Sequence, residues 1–181
     1  VNATRNYIYI RPEDGLIIMR PNRLNFLNKT AVFMLGKLYN PSKGPDVEAV
    51  IKETAEHYGV DEDRVRQDIY NLLQTISALL NDDIRKAPSM RQTRFGSHHR
   101  ELPVLSEIAV TYRCQNHCTF CYAASPNRGK TVPEMTTEAQ QVIIDRIFDE
   151  AHCPTVSFTG GEPTLRKDLP ELVRYAKGKG M

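Results

Sequence analysis

Three of the four cysteines in this 181-residue chain fall within one stretch of eight, Cys114-Gln-Asn-His-Cys118-Thr-Phe-Cys121. Thiols this close do not make the spread-out framework of a secreted disulfide scaffold, and they point to metal binding in a reducing compartment. Spacings of four and three residues let a single loop present three thiolates to one centre. Thiolate is a soft ligand that suits zinc or an iron–sulfur cluster. A [4Fe–4S] cluster held by three cysteines keeps one iron without a protein ligand, open to a substrate or cofactor. The zinc alternative needs a fourth ligand, for which His117 and Cys153 are available, but a second short pair of the kind used by structural zinc sites is missing. On spacing alone both readings stand, beside a third in which the thiols hold nothing.

The surroundings of the cluster read as alternating strands and helices. Leu105 to Tyr112, with Ile108 and Val110 at alternating positions, predicts a strand that runs straight into the first cysteine. Thr137 is expected to cap a helix, with Gln140 as its capping-box partner and Ala139, Val142, Ile143 and Ile147 on the apolar face. Thr155 to Thr159 predicts a second strand, which ends in Gly160-Gly161-Glu162-Pro163. Asp168 is expected to cap a further helix carrying Leu169, Leu172, Val173 and Ala176. This order implies parallel βαβ units. Two strands do not make a covered parallel sheet, so the chain is expected to be the N-terminal part of a longer protein.

The pattern CxxxCxxC at the end of a first strand, with Phe120 just before the last cysteine, resembles the radical S-adenosylmethionine superfamily. Gly160-Gly161-Glu162-Pro163 at the end of the second strand resembles that family's GGE motif, in the right order. The resemblance covers Leu105 to Met181 and implies the start of a partial (βα)6 barrel. It implies a [4Fe–4S] cluster on Cys114, Cys118 and Cys121, whose open iron chelates S-adenosylmethionine. It also implies cofactor contacts from Phe120 beside the adenine, from the Gly160-Gly161 backbone, and from Glu162 toward the methionine ammonium. Reductive cleavage of the sulfonium would give methionine and a 5′-deoxyadenosyl radical, which takes a hydrogen atom from the substrate. The cofactor does the hard chemistry and the protein positions and shields it. No residue of this chain is assigned a catalytic role of its own. Cys153 reads as a structural thiol, His117 as an exposed loop residue, and Tyr122 as packing over the cluster. His98 and His99 read as solvated.

Residues 1–82 form a separate module by their pattern. Tyr7 to Arg11 and Leu16 to Arg20 flank Pro12-Glu-Asp-Gly15, a hairpin signal, and a third strand is predicted near Arg23 to Leu27. Asn28 is expected to cap a helix with Ala31, Met34, Leu35 and Leu38 inside, broken by Pro41-Ser-Lys-Gly-Pro45. Asp46 caps a second, with Val47, Val50, Ile51, Thr54 and Tyr58 on one face and Gly59 at its end. Asp61 caps a third, with Val65, Ile69, Leu72, Leu73, Ile76 and Leu80 at helical spacing. The result is an α+β winged-helix-like domain. A linker, 83–104, joins it to the barrel segment of 105–181; from Arg85 to Arg100 it carries five basic residues and no acid.

The third helix opens on Asp61, Glu62 and Asp63 with Asp68 beyond, against Arg64 and Arg66. That balance does not suit a helix lying among phosphates, so nucleic acid is not expected as a partner. Net charge is only +2, and no apolar run approaches the ~20 residues of a membrane span. No signal-peptide core opens the chain, and a cytoplasmic location is expected. In layout, and in Arg23-Leu-Asn-Phe-Leu-Asn28, the module is similar to the small peptide-binding protein of pyrroloquinoline quinone biosynthesis. That resemblance implies recognition of a precursor (leader) peptide, added as a strand near Arg23 to Leu27 and lying against the third helix. Leu24, Phe26, Arg66, Ile69 and Leu73 are the candidate groove residues. The expected whole is a radical enzyme that modifies a ribosomally made peptide and draws electrons from a flavodoxin or ferredoxin. A radical enzyme for a small molecule or cofactor precursor, and a non-catalytic metal or iron–sulfur binding module, are the alternatives.

Overall fold

The structure is a computed structural model and describes residues 1–19, 23–40, 44–89 and 102–181. It divides into two compact units, residues 1–101 and 102–181.

In the first unit β1 (Ile8–Arg11), β2 (Leu16–Met19) and β3 (Arg23–Phe26) form an antiparallel sheet in that order. The hairpin pairs Arg11 with Leu16, and β2 pairs Leu16 with Phe26. All four residues of the central strand β2 are buried. Arg11 is fully buried too, and its guanidinium forks onto the Asp14 carboxylate at 2.9 and 2.8 Å across the turn. A buried charge persists only when paired in this way.

Three helices follow: α1 (Lys29–Leu38), α2 (Val47–Tyr58) and α3 (Glu62–Leu80). Asn28, Asp46 and Asp61 each accept a backbone N–H from the first turn of the helix that follows, as their positions predict. Gly59 ends α2 in the left-handed conformation. Ala31, Met34, Leu35 and Leu38 face the core from α1, as do Val50, Ile51 and Ala55 from α2. On α3 it is Leu79 rather than Leu80 that is buried, beside Val65, Ile69, Leu72 and Ile76. Strand residue Arg20, the Pro41–Lys43 part of the predicted breaker, and linker residues 90–101, with Arg91, Arg94, His98, His99 and Arg100, lie outside the described residues.

In the second unit β4 (Ser106–Thr111) and β5 (Val156–Gly160) are adjacent and parallel, Ser106 beside Val156 and Thr111 beside Gly160. Between them lie α4 (Ser125–Thr131) and α5 (Thr137–Asp145), and α6 (Leu169–Gly178) follows β5. Ile108 and Val110 point into a core with Ile144, Leu172 and Ala176.

Two helix expectations are corrected here. The α5 cap is Thr136, which accepts from Ala139 N at 3.2 Å. Thr137 instead donates its hydroxyl to Asp168 at 2.6 Å, and Gln140 is buried, so no capping box forms. The buried face is rotated accordingly: Gln140 and Ile144 are inside, whereas Val142 is 51% exposed. Asp168 stands at the start of α6 but makes no side-chain cap bond. Arg166 and Thr137 occupy its carboxylate.

Candidate metal centre

The parallel pairing brings the two sequence motifs to one place. Both strands end at the same edge of the sheet, so the cysteine loop leaving β4 and the Gly-Gly-Glu turn leaving β5 emerge side by side. Carboxyl ends of parallel strands are where open α/β sheets bind ligands. Backbone bonds tie the two segments: Gly161 N donates to Thr111 O at 2.7 Å, and Glu162 N donates to Arg113 O at 2.8 Å.

The two glycines also have a neighbour within the fold that leaves no room for a side chain. A Cβ on Gly160 would lie 2.0 Å from Thr111 O, and one on Gly161 2.2 Å from Arg113 O. Gly160 also has a φ of +116°. What the missing side chains make room for is the backbone at the root of the cysteine loop, before any ligand is considered.

Cys114, Cys118 and Cys121 are free thiols on that loop, Cys118 exposed and the others half-buried. Asn116 N donates to Cys114 Sγ at 3.4 Å. The Ser125 amide above all, with smaller help from the Ser125 side chain and the Ala123 and Ala124 amides, holds the Cys121 thiol below its ordinary value against the opposing effect of desolvation. The loop exits through Ala124, whose φ of 48° turns the chain into α4. A donor set of three accessible thiols, one already biased toward thiolate by backbone amides, fits an iron–sulfur cluster. Among the described residues no three His, Cys, Asp or Glu side chains gather on a single ion position. A four-iron cluster takes its thiolates on separate irons and asks for no such convergence. Cys153 takes no part. It is buried at the amino end of the strands, where its thiol donates to Thr155 O at 3.4 Å and accepts from Ser106 Oγ at 3.5 Å. The length of β4, about 20 Å at ~3.3 Å per residue, separates it from the loop.

Phe120 is 89% exposed and Tyr122 84% exposed on the cysteine loop. Glu162 Oε1 accepts from Thr164 N at 3.1 Å and from the Thr164 hydroxyl at 2.6 Å. The hydroxyl is the main cause of its lowered carboxyl pKa. Oε2 takes no hydrogen bond among the described residues.

Sequence reasoning missed the charged groups around the site. Arg113 Nε donates to Glu134 Oε1 at 2.6 Å, and its Nη2 to Glu134 Oε2 at 3.3 Å and Leu165 O at 3.0 Å. Thr111 donates its hydroxyl to the same Glu134 carboxylate. Arg166, 5% exposed, bonds Val110 O at 2.9 Å, Met135 O at 3.0 Å and the Asp168 carboxylate. In sequence these residues look like ordinary solvated charges; the available signals were Arg113 directly before Cys114 and the Arg166-x-Asp168 spacing.

In the first unit, the candidate groove residues divide. Leu24 and Phe26 on the edge strand β3 are 37% and 38% exposed. Arg66 is exposed and forked onto Glu48 at 2.5 and 2.9 Å. Ile69 is corrected to a core residue, 2% exposed, and Leu73 packs partly against the same core. Arg85 and Lys86 line a separate cleft of about 540 Å³ with Gln74 and Asn81.

Known proteins bear on both units. Residues 108–180 match the Radical SAM superfamily, and residues 15–79 match Coenzyme PQQ synthesis protein D. The chain therefore carries a PqqD-type domain followed by a radical SAM segment. Members of the radical SAM superfamily are enzymes that use a [4Fe–4S] cluster and S-adenosylmethionine. The chain is 43% identical over 72 residues to the Fe-coproporphyrin III synthase of Methanosarcina barkeri, covering 40% of this chain and 18% of that one. It is 32% identical over 83 residues to the 7,8-dihydro-6-hydroxymethylpterin dimethyltransferase of Methanocaldococcus jannaschii, covering 46% and 16%. It is 33% identical over 81 residues to the PqqA peptide cyclase of Bradyrhizobium diazoefficiens, covering 44% and 20%. The chain spans a quarter or less of these relatives. No solved structure matches it significantly.

Proposed function

We propose that this chain belongs to a cytoplasmic enzyme that cleaves S-adenosylmethionine at a [4Fe–4S] cluster and uses the resulting radical on a ribosomally made precursor peptide held by residues 1–82. In this reading the first domain is winged-helix-like, 83–104 is a linker, and 105–181 opens a partial (βα)6 barrel. Cys114, Cys118 and Cys121 hold the cluster. The single observation that carries the reading is the side-by-side exit of the cysteine loop and the Gly160–Glu162 turn from adjacent parallel strands. When bound and reduced, the cluster supplies the electron that splits the sulfonium.

The chain's own residues do the positioning. The open Oε2 of Glu162 is free to accept from the cofactor's ammonium, while Thr164 holds the carboxylate ionised through Oε1. Phe120 presents its exposed ring to the adenine. Gly160 and Gly161 keep the turn close against the loop. An electron donor such as flavodoxin or ferredoxin completes the scheme.

The peptide substrate is supported by the PqqD-type domain and by the likeness to a peptide cyclase. A small-molecule substrate is the second reading, supported by the likeness to a pterin dimethyltransferase and to a probable GTP 3′,8-cyclase. The test is anaerobic reconstitution of the full-length protein with iron and sulfide, then dithionite and S-adenosylmethionine. Release of 5′-deoxyadenosine is expected, lost when Cys114, Cys118 or Cys121 is replaced by Ala and kept when Cys153 is. Zinc in place of iron, or a cluster whose electron paramagnetic resonance ignores added cofactor, overturns it.

A further inference from the structure

The turn that carries Glu162 is held at both ends by one residue. The Arg113 carbonyl accepts Glu162 N at 2.8 Å, and the Arg113 guanidinium donates to Leu165 O at 3.0 Å. Glu162 and Leu165 close the turn on themselves through Leu165 N to Glu162 O at 3.1 Å. The guanidinium is anchored in turn by Glu134, from the segment before α5, and Glu134 also takes the hydroxyl of the buried Thr111. Thr111 Oγ1 accepts Arg113 N at 3.0 Å. Arg113, at the centre of this network, is bonded covalently to Cys114.

We infer that Arg113 is a positioning residue that fixes the Glu162 turn at one spacing from the cysteine loop, and so sets how S-adenosylmethionine meets the cluster. This rests on the proposed cofactor chemistry. The network is not there for packing, because the Arg113 side chain is 50% exposed and Glu134 31% exposed. The core of this unit has its own buried arginine, Arg166. The planar guanidinium meets the Glu134 carboxylate with two bonds and keeps a third for the Leu165 carbonyl in one fixed geometry, whereas a lysine ammonium is a point charge that sets no such orientation. Loss of the side chain leaves the backbone bond to Glu162 N intact, so the turn stays attached but loses its second tether.

The experiment uses the full-length protein, reconstituted anaerobically, as wild type, Arg113→Met, Arg113→Lys and Glu134→Gln. Iron per chain, the thermal midpoint, the resonance spectrum of the reduced cluster with and without cofactor, and the Kd for S-adenosylmethionine are measured. Iron content and midpoint are expected to stay at wild-type values. The Kd is expected to rise about tenfold in Arg113→Met, the scale of one lost charge-assisted hydrogen bond, with smaller rises in the other two. The cofactor-induced spectral change should broaden or shift in parallel. Wild-type affinity in Arg113→Met, or loss of iron from it, overturns the inference. A wild type that takes up iron but ignores the cofactor overturns the underlying reading instead, and the two failures are told apart by that control.

Discussion

A methyl group on Gly161 would press against the Arg113 carbonyl oxygen, and one on Gly160 against Thr111 O, both backbone atoms that cannot swing aside. Gly160→Ala and Gly161→Ala are expected to destabilise the second unit by about 3 kcal/mol or more, read as a lower thermal midpoint even in the iron-free protein. Gly36, in the last turn of α1 with open space where its Cβ would be, is the contrast. Gly36→Ala should raise stability by roughly 0.5–1 kcal/mol. The cysteines and the Gly-Gly-Glu turn are legible in sequence because their chemistry accepts few residue types at fixed spacing. Arg113, Glu134 and Arg166 are not, because an arginine that reaches two carbonyls across the fold is written like one that reaches water.

At the level of elements, Asp168 is where local reading fails most clearly. A carboxylate two residues after Arg166 and just before a helix looks like a cap. Tertiary structure claims it instead, with Arg166 and the Thr137 hydroxyl bonded to it. The Arg166 bonds are the main cause of its carboxyl pKa falling well below the ordinary 3.8. A carboxyl depressed on folding contributes stability above its unfolded pKa, and that stability is lost as pH falls through the folded value. Asp168→Asn should therefore be less stable than wild type at neutral pH, by roughly 2–4 kcal/mol, with the gap closing as pH drops below about 4. Parallel acid-unfolding curves check this. Caps such as Asn28, Asp46 and Asp61 are read correctly because their partners lie within three residues. The α5 face is misread because burial of Gln140 depends on neighbours remote in sequence, and apolarity alone gives no sign of it.

For the whole molecule, the PqqD-type domain makes peptide binding the decisive test of the proposed function. Titrating the precursor's leader peptide into the full-length protein should perturb amide signals of Arg23–Phe26 and α3, with saturable binding. No perturbation there, with turnover of a small molecule, would favour the second reading. Duplex DNA should give no mobility shift at physiological salt, since α3 opens on acidic residues and its Arg66 is engaged by Glu48. No helix among the described residues is long and apolar enough to cross a membrane.

The burial of Cys153 gives this protein an internal clock. In the iron-free chain, Cys118 is open to alkylation and Cys114 and Cys121 are partly so, while Cys153 is sealed under the amino ends of β4 and β5. Alkylation should come in a fast phase of three thiols and a slow phase of one. With opening fast relative to alkylation, the slow rate follows the population of the form in which that end of the sheet is open. A substitution near the cysteine loop that quickens only the fast phase has changed the loop. One that quickens the fourth thiol has loosened the strand pair on which the whole site stands.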